Sequence, residues 1–438
     1  MNLIKDLTEL VNAEIITDET ARKISDYYQG KRATSPNRQL LIFGTAGALL
    51  VGLGVMFIVA NQWEDLSRSL KTSLAFYLLV IPQLLTGYVI LKKYHKIVWR
   101  ESAALLLFFV VGANISLVAQ IYHINGDPST FCLTWMLLIA PLIYLMDSSA
   151  VSLAYFLGIM SYGLAVQSNS TNPFGKYLFW LLVTLPLPRY FQLFKKTSDN
   201  LLFTLHHWVI PFVLTMTLGI LSHKFRMFMP PAFMTMFGMF YLIGNFRFFN
   251  GKPIFLNGYR IFGLAGTIIT MLVMSFKSNW TNLSDHKYIL GDLISSPEII
   301  ASFVLFISAS VLLYRQYKTK SISEWKLIEF TYILFWILIV VGIFTSQSYI
   351  LVNLFVFFMA FLMIREGSIR TNLGILNFGM VIIALLAICR SFDSDLTFVV
   401  KGSMFVLVGI GFFVTNWLML KKKNKHEIPM DNIRADGK

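Results

Sequence analysis

The chain has 438 residues, of which 56% are hydrophobic and only 14% are charged. A soluble globular domain carries about 25% charged residues, so this composition excludes an ordinary soluble fold. The formal net charge of +14 does not indicate a nucleic-acid partner, because the sequence has no glycine-rich phosphate loop, no zinc-ligand cluster and no RNA-binding signature.

The first 36 residues are polar and predict a small helical hairpin in the cytoplasm. Leu3, Leu7 and Leu10 recur at helical spacing, and Thr17 or Asp18 can cap a second helix. No apolar signal-peptide core precedes the first predicted span, so we expect that span to act as the insertion signal. Since so small a hairpin cannot hold a core alone, we expect it to pack on the membrane domain, a second copy or a protein partner.

Apolar runs long enough to cross a bilayer recur between residues 37 and 420 and predict an all-α polytopic transmembrane helical bundle. We predict fourteen spans, with thirteen or fifteen as alternatives, because the fourth, fifth and sixth are short and closely spaced. Residues 421–438 form a basic tail, whose first residues favour contact with anionic lipid. The fourteen predicted spans are 39–60, 71–91, 101–121, 130–146, 149–167, 173–188, 202–221, 229–248, 259–276, 297–315, 325–345, 348–364, 371–389 and 396–420.

The distribution of Lys and Arg predicts the orientation of the bundle. With the N-terminus inside, the inner segments carry 28 of these residues and the outer segments carry 8. By the positive-inside rule, this bias predicts that both termini lie in the cytoplasm. The bias also explains the positive net charge without a polyanionic partner.

A polar stripe marks the third predicted span, in the segment GANISLVAQIYHINGDP at 112–128. On a helix of 3.6 residues per turn, Gly112, Ser116, Gln120 and His123 fall within about one 100° sector. Unpaired polar atoms are costly in hydrocarbon, so we expect this stripe to face other helices or a water-filled pocket.

The predicted topology brings three polar motifs to the outer face. They follow the first, third and thirteenth spans, and they suggest a shared extracytoplasmic site. The alternative is that these residues only cap helix ends at the membrane interface, where Trp, Tyr, Asn and turn residues are common. The candidate lining residues are Asn61, Gln120, His123, Asp127, Arg390, Asp393, Asp395 and Lys401.

Lys401 is the charged residue predicted to lie inside the last span. Such a lysine must reach the interface or find a partner, and Asp393 and Asp395 precede it. The pair predicts either an ion relay or a structural ion pair. Elsewhere the sequence predicts no metal, no cofactor and no catalytic residue. Adjacent His206 and His207 are poor joint metal ligands, because their side chains point about 100° apart on a helix.

Several of these motifs resemble a known family. The hairpin segment ITDETARKISDYY, the first span with its exit GALLVGLGVMFIVANQWEDL, and GANISLVAQIYHINGD followed by Thr134 and Trp135 resemble bacterial predicted membrane proteins grouped as domain of unknown function 2157. The resemblance covers roughly residues 5–150, and 370–415 is similar to the C-terminal part of long members. It implies a polytopic bacterial envelope protein, which we expect in the cytoplasmic (inner) membrane, and no particular activity.

Three functions stay open for such a protein. A transporter or flippase-like protein agrees with the many spans and with the presence of a few polar groups inside the membrane. It predicts a polar cavity that reaches the bilayer midplane. A non-catalytic sensor, scaffold or complex subunit agrees with the hairpin and predicts a tightly packed bundle. The third is an enzyme for a lipid-linked substrate, with His123 and Asp127 or Asp393 as acid and base. In each case we expect the protein to be surrounded by the lipid bilayer. The sequence does not identify a small-molecule or lipid ligand.

Overall fold

The computed structural model describes residues 66–168, 173–195, 201–221, 228–249, 253–284, 296–318, 325–393 and 397–426, together with parts of the first 57 residues. All regular elements within these residues are helices, which confirms the predicted all-α fold. The chain divides into two compact units, Met1–Val209 and Ile210–Lys438.

The first unit holds seven helices and the beginning of an eighth, within the described residues. They are α1 Asp18–Thr34, α2 Arg68–Tyr88, α3 Ile97–Ile121, α4 Pro128–Leu145, α5 Ser149–Ser168, α6 Pro173–Thr184, α7 Leu187–Lys195 and α8 Leu201–Leu218. The second unit begins inside α8 and continues with α9 Met229–Gly244, α10 Gly258–Val273, α11 Lys277–Ser284, α12 Pro297–Tyr317, α13 Thr331–Phe344, α14 Ser348–Ile369, α15 Leu373–Asp393 and α16 Phe398–His426.

Nine of the described helices are long and apolar enough to cross a membrane. They are α2, α3, α4, α5, α8, α12, α14, α15 and α16. A tenth crossing is formed if α10 and α11, which meet at a bend of 72°, count as one span. The predicted first span, 39–60, lies largely outside the described residues, so the number fourteen stays a prediction.

Other predicted spans are shorter in the structure than in the prediction. The span predicted at 173–188 is wrong as a continuous helix: α6 has 12 residues and stops at Thr184, just before Pro186, and α7 starts at Leu187. Pro186 disfavours helical geometry in the residue before it, which explains the break. The helices α9 and α13 have 16 and 14 residues. All three fall below the roughly 20 residues that a straight crossing needs.

In the first unit, long-range contacts set neighbouring helices antiparallel. The guanidinium of Arg68, at the start of α2, lies 4.7 Å from the ring centroid of Tyr122, just after α3. At the other end of α3, Glu101 contacts the first residues of α5. The start of α3 therefore meets the end of α4 and the start of α5, whereas the end of α3 meets the start of α2.

In the second unit, the bend between α10 and α11 is held by a buried aromatic side chain. Trp280 on α11 is fully buried, and its indole nitrogen donates to the carbonyl of Met274 at 2.6 Å. Gly342 on α13 leaves room for that indole, because a Cβ there would lie 2.2 Å from a ring carbon of Trp280. The bend is thus a packed feature of this unit.

The structure describes the second helix of the predicted hairpin and the last predicted span, whereas the first hairpin helix lies largely outside the described residues. Helix α1 begins at Asp18, and the Thr17 hydroxyl accepts from the amide of Thr20 at 3.4 Å. Helix α16 continues to His426 and so runs past the predicted limit of the last span. The cytoplasmic location of both ends stays a prediction.

Candidate functional site

The turn after α3 contains two of the predicted site residues. The amide of His123 donates to the carbonyl of Gln120 at 3.4 Å, and the amide of Ile124 donates to Ala119 at 2.9 Å. This is the Schellman pattern that ends many helices, and it requires a left-handed residue at the position of His123. His123 has a φ of 50° and, like Gln120, an exposed side chain.

Asp127 begins the next helix. One carboxylate oxygen accepts from the amide of Thr130 at 2.8 Å, and the other accepts from the Ser129 hydroxyl at 2.8 Å. This is an N-cap, which satisfies an amide that the first turn of α4 leaves free. His123 and Asp127 therefore both terminate helices, and their lining of an outer site stays a prediction.

The polar stripe that leads to this turn faces a neighbouring helix at its buried end. Gly112 is buried, and a Cβ there would lie 2.5 Å from a ring carbon of Trp135 on α4. The indole nitrogen of Trp135 donates to the carbonyl of Phe108 at 2.9 Å. Helix packing thus accounts for the small residue at this position.

Arg390 lies in the last turn of α15 and contacts the bend between α10 and α11. Its guanidinium donates to the carbonyl of Ser275 at 2.5 Å and lies 5.8 Å from the ring centroid of Tyr349. The Asn353 amide donates to the same carbonyl at 3.2 Å. Two side chains therefore satisfy one carbonyl at the break in the helix.

The remaining candidates are only partly described. Asn61 and Asp395 lie outside the described residues, and so does the side chain of Asp393. Lys401 is half-buried in the first turn of α16, where its amide donates to Thr397 at 3.1 Å. The predicted ion pair of Lys401 and the shared outer site both stay predictions.

The structure brings together a different set of polar residues, which the sequence analysis did not predict. We call it the charged cluster, and it lies where α3 and α5 begin and α4 ends. Glu101 and Arg189 are each only 2% exposed. Its members are Arg100, Glu101, Asp147, Ser148, Ser149 and Arg189.

Glu101 caps the N-terminus of α5 from another helix. One carboxylate oxygen accepts from the Ser148 hydroxyl at 2.5 Å and from the amide of Ala150 at 2.9 Å, and the other accepts from the amide of Ser149 at 3.0 Å. The partial positive charge of a helix N-terminus favours a carboxylate at this position. Glu101 thereby fastens the first turn of α3 to the first turn of α5.

Asp147 links the end of α4 to α7. It has a φ of 45° and closes α4 by the same Schellman pattern as His123 closes α3, with its amide donating to Tyr144 at 3.2 Å. Its carboxylate also accepts from the Arg189 guanidinium, which donates to the Asp147 carbonyl at 2.8 Å. Arg100 lies 3.7 Å from the second carboxylate oxygen.

Charge is balanced within the charged cluster. Burial lowers the pKa of the Arg189 guanidinium below its ordinary value, while the negative charges of Asp147 and Glu101 act to raise it. An arginine stays protonated in proteins, so two cations face two anions. Such pairing is what a buried charge requires to avoid a large desolvation cost.

A histidine extends the polar network next to the charged cluster. The Nδ1 of His206 lies 2.7 Å from the carbonyl of Leu202 and therefore carries the proton. The Nε2 of His206 then accepts from the Ser152 hydroxyl at 3.1 Å, and the ring stacks on Tyr190 at 6.1 Å. Among the described residues, no three His, Cys, Asp or Glu side chains are placed to hold a metal ion.

The family comparison agrees with the resemblance seen in the motifs. Residues 8–152 match the family described as Predicted membrane protein (DUF2157). No curated protein and no solved structure has significant similarity to the chain. The match contains Glu101 and Asp147 and ends before Arg189. The similarity of residues 370–415 to the C-terminal part of long family members stays a prediction. Over residues 8–152, about a third of its length, the chain is therefore similar to the predicted membrane protein family DUF2157.

Proposed function

We propose that the protein is a non-catalytic multi-pass membrane subunit whose first unit is a rigid platform for the N-terminal hairpin. The charged cluster carries this proposal. Its buried acids and bases bond to one another and to helix ends. A carrier instead uses intramembrane polar groups that exchange partners with its solute. The cluster favours a fixed structure over an exchanging one.

The position of the chain after the hairpin supports this proposal. A Cβ on Gly44 would lie 3.4 Å from the Ser102 hydroxyl and 3.5 Å from Val98, so this segment runs beside the first turns of α3. The hairpin thus enters the bundle at the end that holds the charged cluster. Exposed Arg22 and Lys23 on α1 present a polar face for a protein partner.

Crosslinking in the native membrane tests the proposal. A photo-reactive residue at Arg22 is expected to give one discrete adduct, and removal of residues 1–36 is expected to lower the native mass of the assembly. The matched control is the same probe at Gln120, which is exposed at the opposite end of α3. A native mass that falls only by the mass of residues 1–36, or equal adducts from both positions, would contradict the proposal.

A second candidate function is transport of an anionic solute through the second unit. The observation that favours it is the bend of 72° between α10 and α11, with Arg390 and Asn353 on the Ser275 carbonyl. Broken helices with exposed carbonyls and a nearby charge are common at transporter binding sites. Transport predicts that a phosphate or carboxylate ion raises the melting temperature, and that Arg390→Gln removes this rise. If no anion changes the melting temperature, or if Arg390→Gln keeps the response, the arginine only closes the bend.

A further inference from the structure

An open groove of about 500 Å³ lies between α14, α15 and α16, at the end of α14 and the start of α15. It shares no residue with the charged cluster or with the bend at Ser275. Most of its wall is apolar, and its polar side chains are an arginine, a serine and a threonine. The lining residues are Phe361, Ile364, Arg365, Ser368, Ile369, Leu376, Thr415 and Leu418.

The helix that forms one wall of the groove leaves the groove open. No residue of α16 from Phe398 to Leu418 is buried within the chain, whereas every other candidate span has at least a fifth of its residues buried. The groove is therefore accessible from the surroundings of the unit. In a bilayer those surroundings are lipid chains along α16 and headgroups near its end.

Arg365 is the charge that this groove presents. It is exposed and lies one turn before the end of α14. The next residue, Glu366, pairs with Lys326 at 2.9 Å and with Arg370 at 3.2 Å. Within the described residues, no acid lies at ion-pair distance from Arg365. An arginine at the end of an apolar span extends to the lipid headgroups, where a phosphate can accept two hydrogen bonds from its guanidinium.

The charge next to the groove is positive. The ammonium of Lys421 lies 5.2 Å from the ring centroid of Trp417, and Lys422, Lys423 and Lys425 follow in sequence. Trp and Lys in this order anchor a helix end at the lipid headgroups. A basic segment of this kind attracts anionic lipid over neutral lipid.

We propose that this groove binds one anionic phospholipid, with an acyl chain along the apolar wall and the phosphate at Arg365. The apolar wall and the uncompensated guanidinium match the two parts of such a lipid. The predicted orientation places this end of α14 at the cytoplasmic leaflet, where anionic lipids attract basic segments. The proposal does not depend on the function of the charged cluster.

Native mass spectrometry of the full-length protein tests the groove with two probes, phosphatidylglycerol and phosphatidylcholine. Wild type is expected to retain one phosphatidylglycerol more tightly than phosphatidylcholine. Arg365→Gln is expected to weaken phosphatidylglycerol binding about fivefold, the effect of one cation near a lipid surface, and to leave phosphatidylcholine unchanged. The matched control is Arg315→Gln, since Arg315 is exposed in the last turn of α12 and lies outside the groove.

A second variant separates the groove from diffuse surface attraction. Thr415 lies on unburied α16, so Thr415→Trp fills the groove without entering a packed core, and is expected to weaken retention of both lipids. Equal retention of the two lipids by wild type would overturn the proposal. So would an equal loss in Arg365→Gln and Arg315→Gln, which would indicate a general attraction to the basic surface.

Discussion

Helices α3 and α4 end with the same backbone conformation, but the residue that adopts it has different surroundings in the two cases. His123, after the end of α3, and Asp147, after the end of the neighbouring α4, both adopt a left-handed conformation, with φ of 50° and 45°. The side chain of His123 is exposed, whereas that of Asp147 binds buried Arg189. A polar residue at a helix end is thus part of a buried network if another helix supplies a charged partner, as Arg189 does for Asp147. Without such a partner it only ends the helix.

The difference between the two ends has an energetic consequence. Removal of an exposed cap costs about 1 kcal/mol, because water replaces the lost hydrogen bond. Removal of one member of a buried ion pair costs about 3–5 kcal/mol, because the remaining charge is left in a medium of low polarity. We therefore expect the first unit to depend far more on the charged cluster than on the turn at 120–127.

Arg189→Ala is expected to have the largest effect of the substitutions considered. It removes the buried cation that binds Asp147, whose carboxylate is partly exposed and keeps Arg100 at 3.7 Å, so we expect a loss of about 3 kcal/mol in the free energy of unfolding, the lower end of the range for a buried ion pair. Denaturant unfolding of the purified protein in detergent measures it. Arg189→Lys keeps the charge but not the two-pronged geometry, and should fall between Ala and wild type. If Arg189→Ala costs no more than Gln120→Ala, the charged cluster does not stabilise the first unit more than the exposed turn at 120–127 does.

Gly112→Ala tests the buried part of the polar stripe. The new Cβ would lie 2.5 Å from the ring of Trp135, so the helices α3 and α4 must separate or the indole must move, at a cost of about 1–3 kcal/mol. Gly87→Ala is the matched control. It also lies in a helix, at the end of α2, but a Cβ there meets nothing within 4 Å, and it is expected to stabilise. Equal effects of the two substitutions would mean that the stripe does not pack on α4.

The sequence predicted the helices well because each apolar run carries its own signal. The breaks were harder to predict. Pro186 divides one predicted span, and the bend at Ser275 lies at the end of another, 259–276, before the unpredicted helix α11. At the first break, Pro186 and Pro188 are a local signal for the end of a helix. At the second, Trp280 is close in sequence, but Arg390 reaches the Ser275 carbonyl from 115 residues away, so no local pattern predicts that contact.

The charged cluster escaped sequence analysis because its partners are far apart in the chain. Ser148 is 47 residues from Glu101, and Arg189 is 42 residues from Asp147. The one local signal was an Asp-Ser-Ser segment in a loop so short that its polar groups lie between two apolar helices. The outer motif after α3 is visible in the sequence, because Gln120, His123 and Asp127 lie close together along the chain.

Asp127 offers a test of capping against chemistry. Asp127→Ala removes the acceptor for the Thr130 amide and is expected to cost about 1 kcal/mol. Asp127→Asn keeps a good N-cap but cannot serve as a base, so its unfolding free energy should stay close to that of wild type. If complementation of a deletion strain fails with Asp127→Asn while the protein stays folded, the carboxylate has a role beyond the cap, and the turn belongs to a functional site.

His123→Gly is expected to have the smallest effect, and of opposite sign. Glycine adopts the left-handed conformation without the Cβ strain, so the closed end of α3 should gain about 0.5–1 kcal/mol. The paired substitution Asp147→Gly relieves the same strain but removes the carboxylate that binds Arg189, and should destabilise the protein instead. Thermal unfolding of the two variants in one detergent compares them directly. A loss of stability in His123→Gly would show that the imidazole makes stabilising contacts, and the ends of α3 and α4 would then resemble each other in side chains as well as in backbone.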